Sequence, residues 1–280
     1  MQIKKYTSSQ NSQSFKGLFV EMFQDLMASR GLAWRLTVRD FKGQYRQSFF
    51  GAFWVFITPL MSALVWMFLN ASGAVKISSS GIPYPAYVLT GTMLWSILSE
   101  SINMPLKQTN ASKGVISKIN FPKEALLLSG LYKIGGNTLI KIGLILLVLL
   151  VFGVVPDYKI LLLPLVLTGF ILFGFSIGLL LTPIGMLYND VVRLIPMAMQ
   201  FLMYLSPVVY SMPKDQSLLT QIIRINPTTC LINLARNSFV GLPFEQWFYF
   251  GVLMFMTIII MLVSWVFYRY SIPIIVERNS

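Results

Sequence analysis

Histidine is absent from this sequence, and cysteine occurs once, at Cys230. Without imidazole the chain has no access to the commonest general base, proton shuttle and metal ligand. A lone cysteine excludes an intramolecular disulfide and any thiolate-rich metal site. Charge is scarce as well: 11% of the 280 residues are Asp, Glu, Lys or Arg, where soluble domains carry about 25%. No Gly-x-x-x-x-Gly-Lys-Ser/Thr run is present, so the chain binds no nucleotide through a P-loop. Glu100 is the one acid inside a hydrophobic stretch, which leaves no pair of acids for a proton relay. What remains is 55% hydrophobic residues and a mean hydropathy of +0.68. This composition describes an integral membrane protein to which most hydrolytic chemistry is closed, and the energy source for any active transport is expected on another polypeptide.

Charged residues divide the chain into uncharged stretches from Gln47 to Val75, Ile77 to Ser99, Ile160 to Asn189, Leu194 to Pro213 and Gln246 to Tyr268. Each reaches the roughly 20 residues that a helical crossing needs. A sixth stretch, Ala125 to Val155, is interrupted by Lys133 and Lys141. None alternates like a membrane strand, so the expected fold is all-α with six transmembrane helices. The 22 Lys and Arg residues against ten acids suggest cytoplasmic loops and anionic lipid, not nucleic acid. With six crossings, fifteen of these cations fall on one side and five on the other, which places both termini in the cytoplasm. Residues 1–30 read as an N-terminal tail, 31–271 as the transmembrane domain and 272–280 as a C-terminal tail. No internal repeat is visible, which argues against an inverted-repeat secondary transporter.

Before the first crossing, Arg35, Arg39, Lys42 and Arg46 recur at i, i+4, i+7 and i+11, one stripe of a helix. Trp34, Val38, Phe41 and Tyr45 form the neighbouring face, so about 32–48 reads as an interfacial amphipathic helix. Two roles stand open for the stripe: a lipid-surface anchor, or a receiver for an anionic lipid-linked substrate. The loop at about 106–123 carries Lys107, Lys113, Lys118 and Lys123 with Val115, Ile116, Ile119 and Phe121 between them. Positive-inside bias explains the lysines; a short helix docking on a cytoplasmic partner explains the apolar residues too. Asp190 and Arg193, spaced i and i+3, can pair at a turn or touch the same partner. The segment from about 211 to 247 holds Pro213, Pro227 and Pro243, and its pieces are too short to cross. They read as external re-entrant or interfacial helices, either a lid or a gate. Lys133, Asn137 and Lys141 recur at i, i+4 and i+8; snorkelling of the lysines toward the interface is the favoured reading over a polar stripe facing a pore.

Four segments together carry a resemblance: WRLTVRDFKGQYRQSFFGAFWVFITPL from Trp34, INFPKEALLLS from Ile119, YNDVVRLIPMAMQFLMYLSPVVY from Tyr188 and NPTTCLINLARNSFVG from Asn226. In this order they resemble the type-2 ABC transporter permeases that export polysaccharide, in the O-antigen, capsule and teichoic-acid branch. The resemblance implies two permease copies around one channel in a bacterial cytoplasmic membrane. It also implies two copies of an ATPase subunit, which would hold the ATP and Mg, and a lipid-linked polysaccharide as substrate. A coupling helix would lie around Asn110 to Phe121, with Lys113, Val115, Ile116 and Lys118 in it and Asp190 and Arg193 beside the contact. The segment between the fifth and sixth spans would hold the gate helices. Aromatic faces suit sugar C–H surfaces, which makes Phe53, Trp54, Tyr204 and Tyr210 the candidate channel lining; lipid contact is the competing role for each. A drug or small-lipid exporter of the same fold is one rival. An intramembrane enzyme acting on lipid-linked sugar is another, weakened by the missing histidine.

Overall fold

Apolar segments inside a bilayer satisfy their backbone groups within themselves, and a helix is the local way to do so. The structure, a computed structural model, describes residues 15–46, 53–73, 82–116, 122–212, 217–243 and 246–278, and among them there is no strand. In chain order the helices are α1 (Phe15–Ala28), α2 (Arg30–Arg46), α3 (Trp54–Ala71), α4 (Tyr84–Ala111) and α5 (Lys113–Ile116). Then follow α6 (Glu124–Val151), α7 (Leu163–Leu187), α8 (Asn189–Tyr204), α9 (Leu218–Ile225), α10 (Pro227–Val240) and α11 (Trp247–Arg278). A short 3-10 turn, Tyr158–Leu162, leads into α7.

Helix α4 is the centre of the bundle: 19 of its 28 residues are buried, and α3, α6, α7, α8 and α10 all pack against it. Small residues permit the closest approach. A Cβ on Gly178 of α7 would sit 2.1 Å from the Ile102 carbonyl oxygen, and one on Gly174 would sit 2.8 Å from Ser101 Cβ. Close helix packing through small residues is how membrane bundles gain van der Waals contact.

Among the described residues, four helical segments are long and apolar enough to cross a membrane: Trp54–Ala71, Glu124–Val151, Tyr158–Leu187 and Trp247–Glu277. The protein is thus an all-α, multi-pass membrane protein. The other two expected spans differ for separate reasons. Helix α4 is long but carries Glu100, Asn103, Lys107 and Gln108; Gln108 is buried in the bundle, Glu100 and Asn103 are half-buried and Lys107 is exposed. Helix α8, at 16 residues, is about 24 Å long, short of the roughly 30 Å hydrocarbon core.

Both segments expected as tails contain helix. Residues 15–28 of the first form α1, whose Leu18 and Met22 are buried. In the second, α11 continues to Arg278 with Ile272, Ile275 and Val276 buried. Arg269 of α11 binds Asp25 of α1 at 2.8 Å and Glu124 of α6 at 2.6 Å. This cluster ties α1 and α11 to α6. A helix, α2, covers most of the segment expected at about 32–48, and the segment expected at about 211–247 contains α9 and α10. Ser217 caps α9 by accepting from the Thr220 amide, and Asn226 caps α10 by accepting from the Thr228 amide, as N-cap side chains do.

Candidate functional site

Helix α2 lies across α6 because its inward face is small and polar. Ala33 and Thr37 are buried there, and Thr37 Oγ1 lies 3.1 Å from Ser129 Oγ. Phe41 fits over Gly136, where a Cβ would meet its ring at 3.3 Å. One turn of α2 further on, Asp40 accepts hydrogen bonds from Lys133 of α6, from Gln108 Nε2 of α4 at 3.2 Å and from its neighbour Arg39 at 2.9 Å. Gln108 Oε1 accepts from Lys133 Nζ at 2.6 Å, so three helices meet in one polar knot. Burial works against the Asp40 charge, but the hydrogen bonds from Lys133, Gln108 and Arg39 outweigh it and hold the carboxyl below its ordinary range.

Two turns deeper along α6, Lys141 donates to Glu100 at 2.8 Å and Asn137 Nδ2 donates to the other oxygen of the same carboxylate. The snorkel expected for the two lysines is therefore corrected. Lys141 is 4% exposed, and both lysines turn inward to acids on other helices. The physical reason is cost: an unpaired ammonium within the bilayer is expensive, and a carboxylate on the facing helix removes much of that cost.

These groups line a cavity of about 840 Å³ between α2, α3, α4 and α6. Its walls carry four cations (Arg39, Lys107, Lys133 and Lys141) and two carboxylates (Asp40 and Glu100), a surplus of two positive charges. Phe41 and Trp54 supply aromatic surface. A second cavity of about 360 Å³ adjoins it, sharing Thr58, Pro59, Ser96, Glu100 and Asn103, and continues between α3 and α4 past Ser62, Thr92, Trp95 and Ser99 to Met203 of α8. Together they make a largely apolar path into which Thr and Ser residues are set, with Glu100 at the junction.

Of the four cations in the basic stripe, Arg39 reaches this cavity. Arg35 and Lys42 are exposed away from it, and the side chain of Arg46 lies outside the described residues. The cations missed by the stripe reading, Lys107, Lys133 and Lys141, come from α4 and α6. For Lys133 and Lys141 the sequence signal was the i, i+4, i+8 polar spacing together with a lone acid in the preceding hydrophobic stretch; Lys107 reads in the sequence as a loop lysine.

The other expected sites are placed as follows. Asn110 is exposed at the end of α4, and Lys113 is half-buried in α5. Ile116 packs partly against this chain's own core. Val115 lies in α5 without a described side chain, and Lys118 and Phe121 fall outside the described residues. Asp190 and Arg193 are exposed in the first turn of α8, and no ion pair joins them among the described residues. The four aromatics do not converge. Trp54 lines the cavity, Phe53 is 67% exposed, and Tyr204 stands 6.1 Å from Trp66 of α3. Tyr210 donates to the Tyr204 carbonyl beyond the end of α8. Among the described residues no group of His, Cys, Asp and Glu is arranged to hold a metal.

Residues 32–240 match the family described as ABC-2 type transporter. Two proteins of Klebsiella pneumoniae, each called O-antigen export system permease protein RfbA, are similar to this chain. One is 25% identical over 233 residues, covering 82% of this chain and 87% of the relative. The other is 26% identical over 208 residues, covering 74% and 79%. A protein of the same name from Myxococcus xanthus is 23% identical over 216 residues, covering 76% and 82%.

Proposed function

The chain belongs to the ABC-2 type transporter family, and from that premise we propose that it is the permease subunit of an ATP-driven exporter of lipid-linked polysaccharide. The family makes it a membrane transport subunit, and relatives named as O-antigen export permeases support the polysaccharide. The observation that carries the reading is the cationic cavity beside an amphipathic helix, continuous with a path into which Thr and Ser residues are set. Excess positive charge suits the phosphate of a lipid carrier. Hydroxyls and indole faces suit a sugar chain that must slide without fixed register.

ATP is hydrolysed on a separate subunit, two copies of which dock on the side bearing α5. Exposed Asn110 and half-buried Lys113, with the residues that follow to Phe121, form that contact; Asp190 and Arg193 lie beside it. Half-buried Ile116 anchors α5 to the bundle. A second copy of the chain covers the apolar faces of α3 and α8, where Met61, Phe68, Met197 and Phe201 are each more than half exposed. Helices α9 and α10 close the external end. The membrane is a bacterial cytoplasmic membrane with both termini inside.

The test is reconstitution with the ATPase subunit in vesicles. Lipid-linked polysaccharide is expected to stimulate ATP hydrolysis and to appear on the far side. Lys133→Gln is expected to lower both, because an acceptor-facing cation is lost, while Asn110→Trp lowers copurification of the ATPase. Absence of stimulation by the lipid-linked polymer in the assembled wild-type complex would overturn the substrate assignment.

A further inference from the structure

The cavity is not uniform along its length, and its two ends differ in kind. At the level of α2, Arg39, Lys107 and Lys133 outnumber the single carboxylate of Asp40. Eight residues further along α6, about 12 Å at helical rise, Lys141 is matched one-to-one by Glu100. The charge there cancels, and hydrogen-bond acceptors dominate. Asn137 is 8% exposed, spends its amide N–H on Glu100, and leaves its Oδ1 buried without a hydrogen-bond partner. Asn103 donates its amide N–H to the Ser99 carbonyl and lines both cavities. A buried amide oxygen with no partner is costly, and the cost is relieved by a donor that arrives from the cavity.

Phosphate brings no donor at neutral pH; a sugar brings several hydroxyls. We infer that Glu100, Lys141, Asn137 and Asn103 form a sugar subsite. In it the hydroxyls of the first residue of a lipid-linked glycan are read while its phosphate rests on Arg39, Lys107 and Lys133. The inference rests on the polysaccharide reading above and adds a specificity determinant to it. Glu100 and Asn137 accept from adjacent hydroxyls, and Lys141 donates to a hydroxyl oxygen, so the subsite reads hydroxyl pattern instead of charge. Sites built to bond a hydroxyl discriminate strongly against ligands without one.

The experiment uses the full-length permease in phosphatidylcholine nanodiscs. Three probes are compared: a prenyl diphosphate, the same lipid bearing one hexose, and phosphatidylglycerol as a hydroxyl-bearing ordinary lipid. The hexose-bearing probe is expected to bind about tenfold more tightly than the bare diphosphate, the size of one hydrogen bond to a charged group. Phosphatidylglycerol is expected to compete weakly. Asn137→Leu removes the orphan oxygen and is expected to bring the ratio of the two diphosphate probes close to one. So is the double variant Glu100→Gln/Lys141→Met, which removes both charges together and so leaves neither buried alone. Lys133→Gln is expected to weaken both diphosphate probes alike and preserve the ratio. Equal binding of the two diphosphates by the wild-type protein would overturn the subsite. So would a ratio unchanged in both the Asn137 and the double variant, or phosphatidylglycerol binding as tightly as the hexose-bearing probe. A complex whose ATP hydrolysis responds to lipid-linked polysaccharide, yet whose probe ratio is one, retains its function and loses this site. A permease with the expected ratio but no response to polymer loses the export assignment and keeps the site.

Discussion

Arg236 shows how far a single residue can depart from its local context. It stands among the cations of the segment expected to be external, yet it is 3% exposed. Its two terminal nitrogens donate to the Pro207 and Val208 carbonyl oxygens at 3.0 and 2.7 Å, and its guanidinium lies 3.7 Å over the Tyr87 ring. The planar fork thus ties α10 to the turn after α8 and to α4, and Gly91 leaves the space it needs. Arg236→Met strands two carbonyls and should cost about 2–5 kcal/mol, read as a lower thermal unfolding temperature in detergent. Arg236→Lys keeps the charge but loses the fork, so it should fall between. A temperature unchanged in both variants would refute the clamp. Asp40 supplies a pH test. Its folded carboxyl lies below the unfolded value, so its contribution is complete above about pH 4 and is lost as pH falls through the folded value. Hydrogen exchange in α2 should therefore stay constant from neutral pH to about 4 after correction for intrinsic rates. Protection should fall only below that, whereas Asp40→Asn should already be less protected at neutral pH.

At the level of elements, the decisive contact is α4 against α7, and glycine makes it possible. Gly178 and Gly135 both sit inside long helices, so local propensity treats them alike. Their surroundings differ: a Cβ at Gly178 strikes the Ile102 backbone, while one at Gly135 meets nothing within 4 Å. Gly178→Ala should therefore cost at least 1–3 kcal/mol through forced helix separation. Gly135→Ala should be neutral or gain up to about 1 kcal/mol from helix propensity. Thermal unfolding of the two variants side by side checks this, and equal effects would remove the close-packing account.

For the whole molecule, the proposed orientation and self-association rest on charge and on exposed apolar faces, and both can be tested by cysteine chemistry. In a Cys230→Ala background, Leu218→Cys on α9 should react with an impermeant maleimide in intact cells. Arg193→Cys in the first turn of α8 should react only after permeabilisation. Phe201→Cys, on the outer face of α8 at 65% exposure, should cross-link to a second copy. Reversed labelling would invert the topology and move the ATPase contact to the other side. Absence of any cross-link would return the α3 and α8 faces to lipid.

Local pattern was sufficient for much of the architecture. Amphipathic spacing marked α2, proline and short apolar pieces marked α9 and α10, and long uncharged runs marked α3, α7 and α11, since each signal acts within a turn or two of helix. Burial of the N- and C-terminal segments was not legible, because Arg269 meets Asp25 across 244 residues of sequence. The candidate site was hidden for the same reason. Lys133 and Asp40 lie 93 residues apart, and Lys141 and Glu100 lie 41 apart. Read alone, a lysine in an apolar helix is a cost that snorkelling relieves. Packed against α2 and α4, the same lysine finds a carboxylate at hydrogen-bond distance, and the cost becomes a polar cavity. Residue type and period could say that the charges were unusual; only the folded arrangement of three helices could say which opposite charge each one meets.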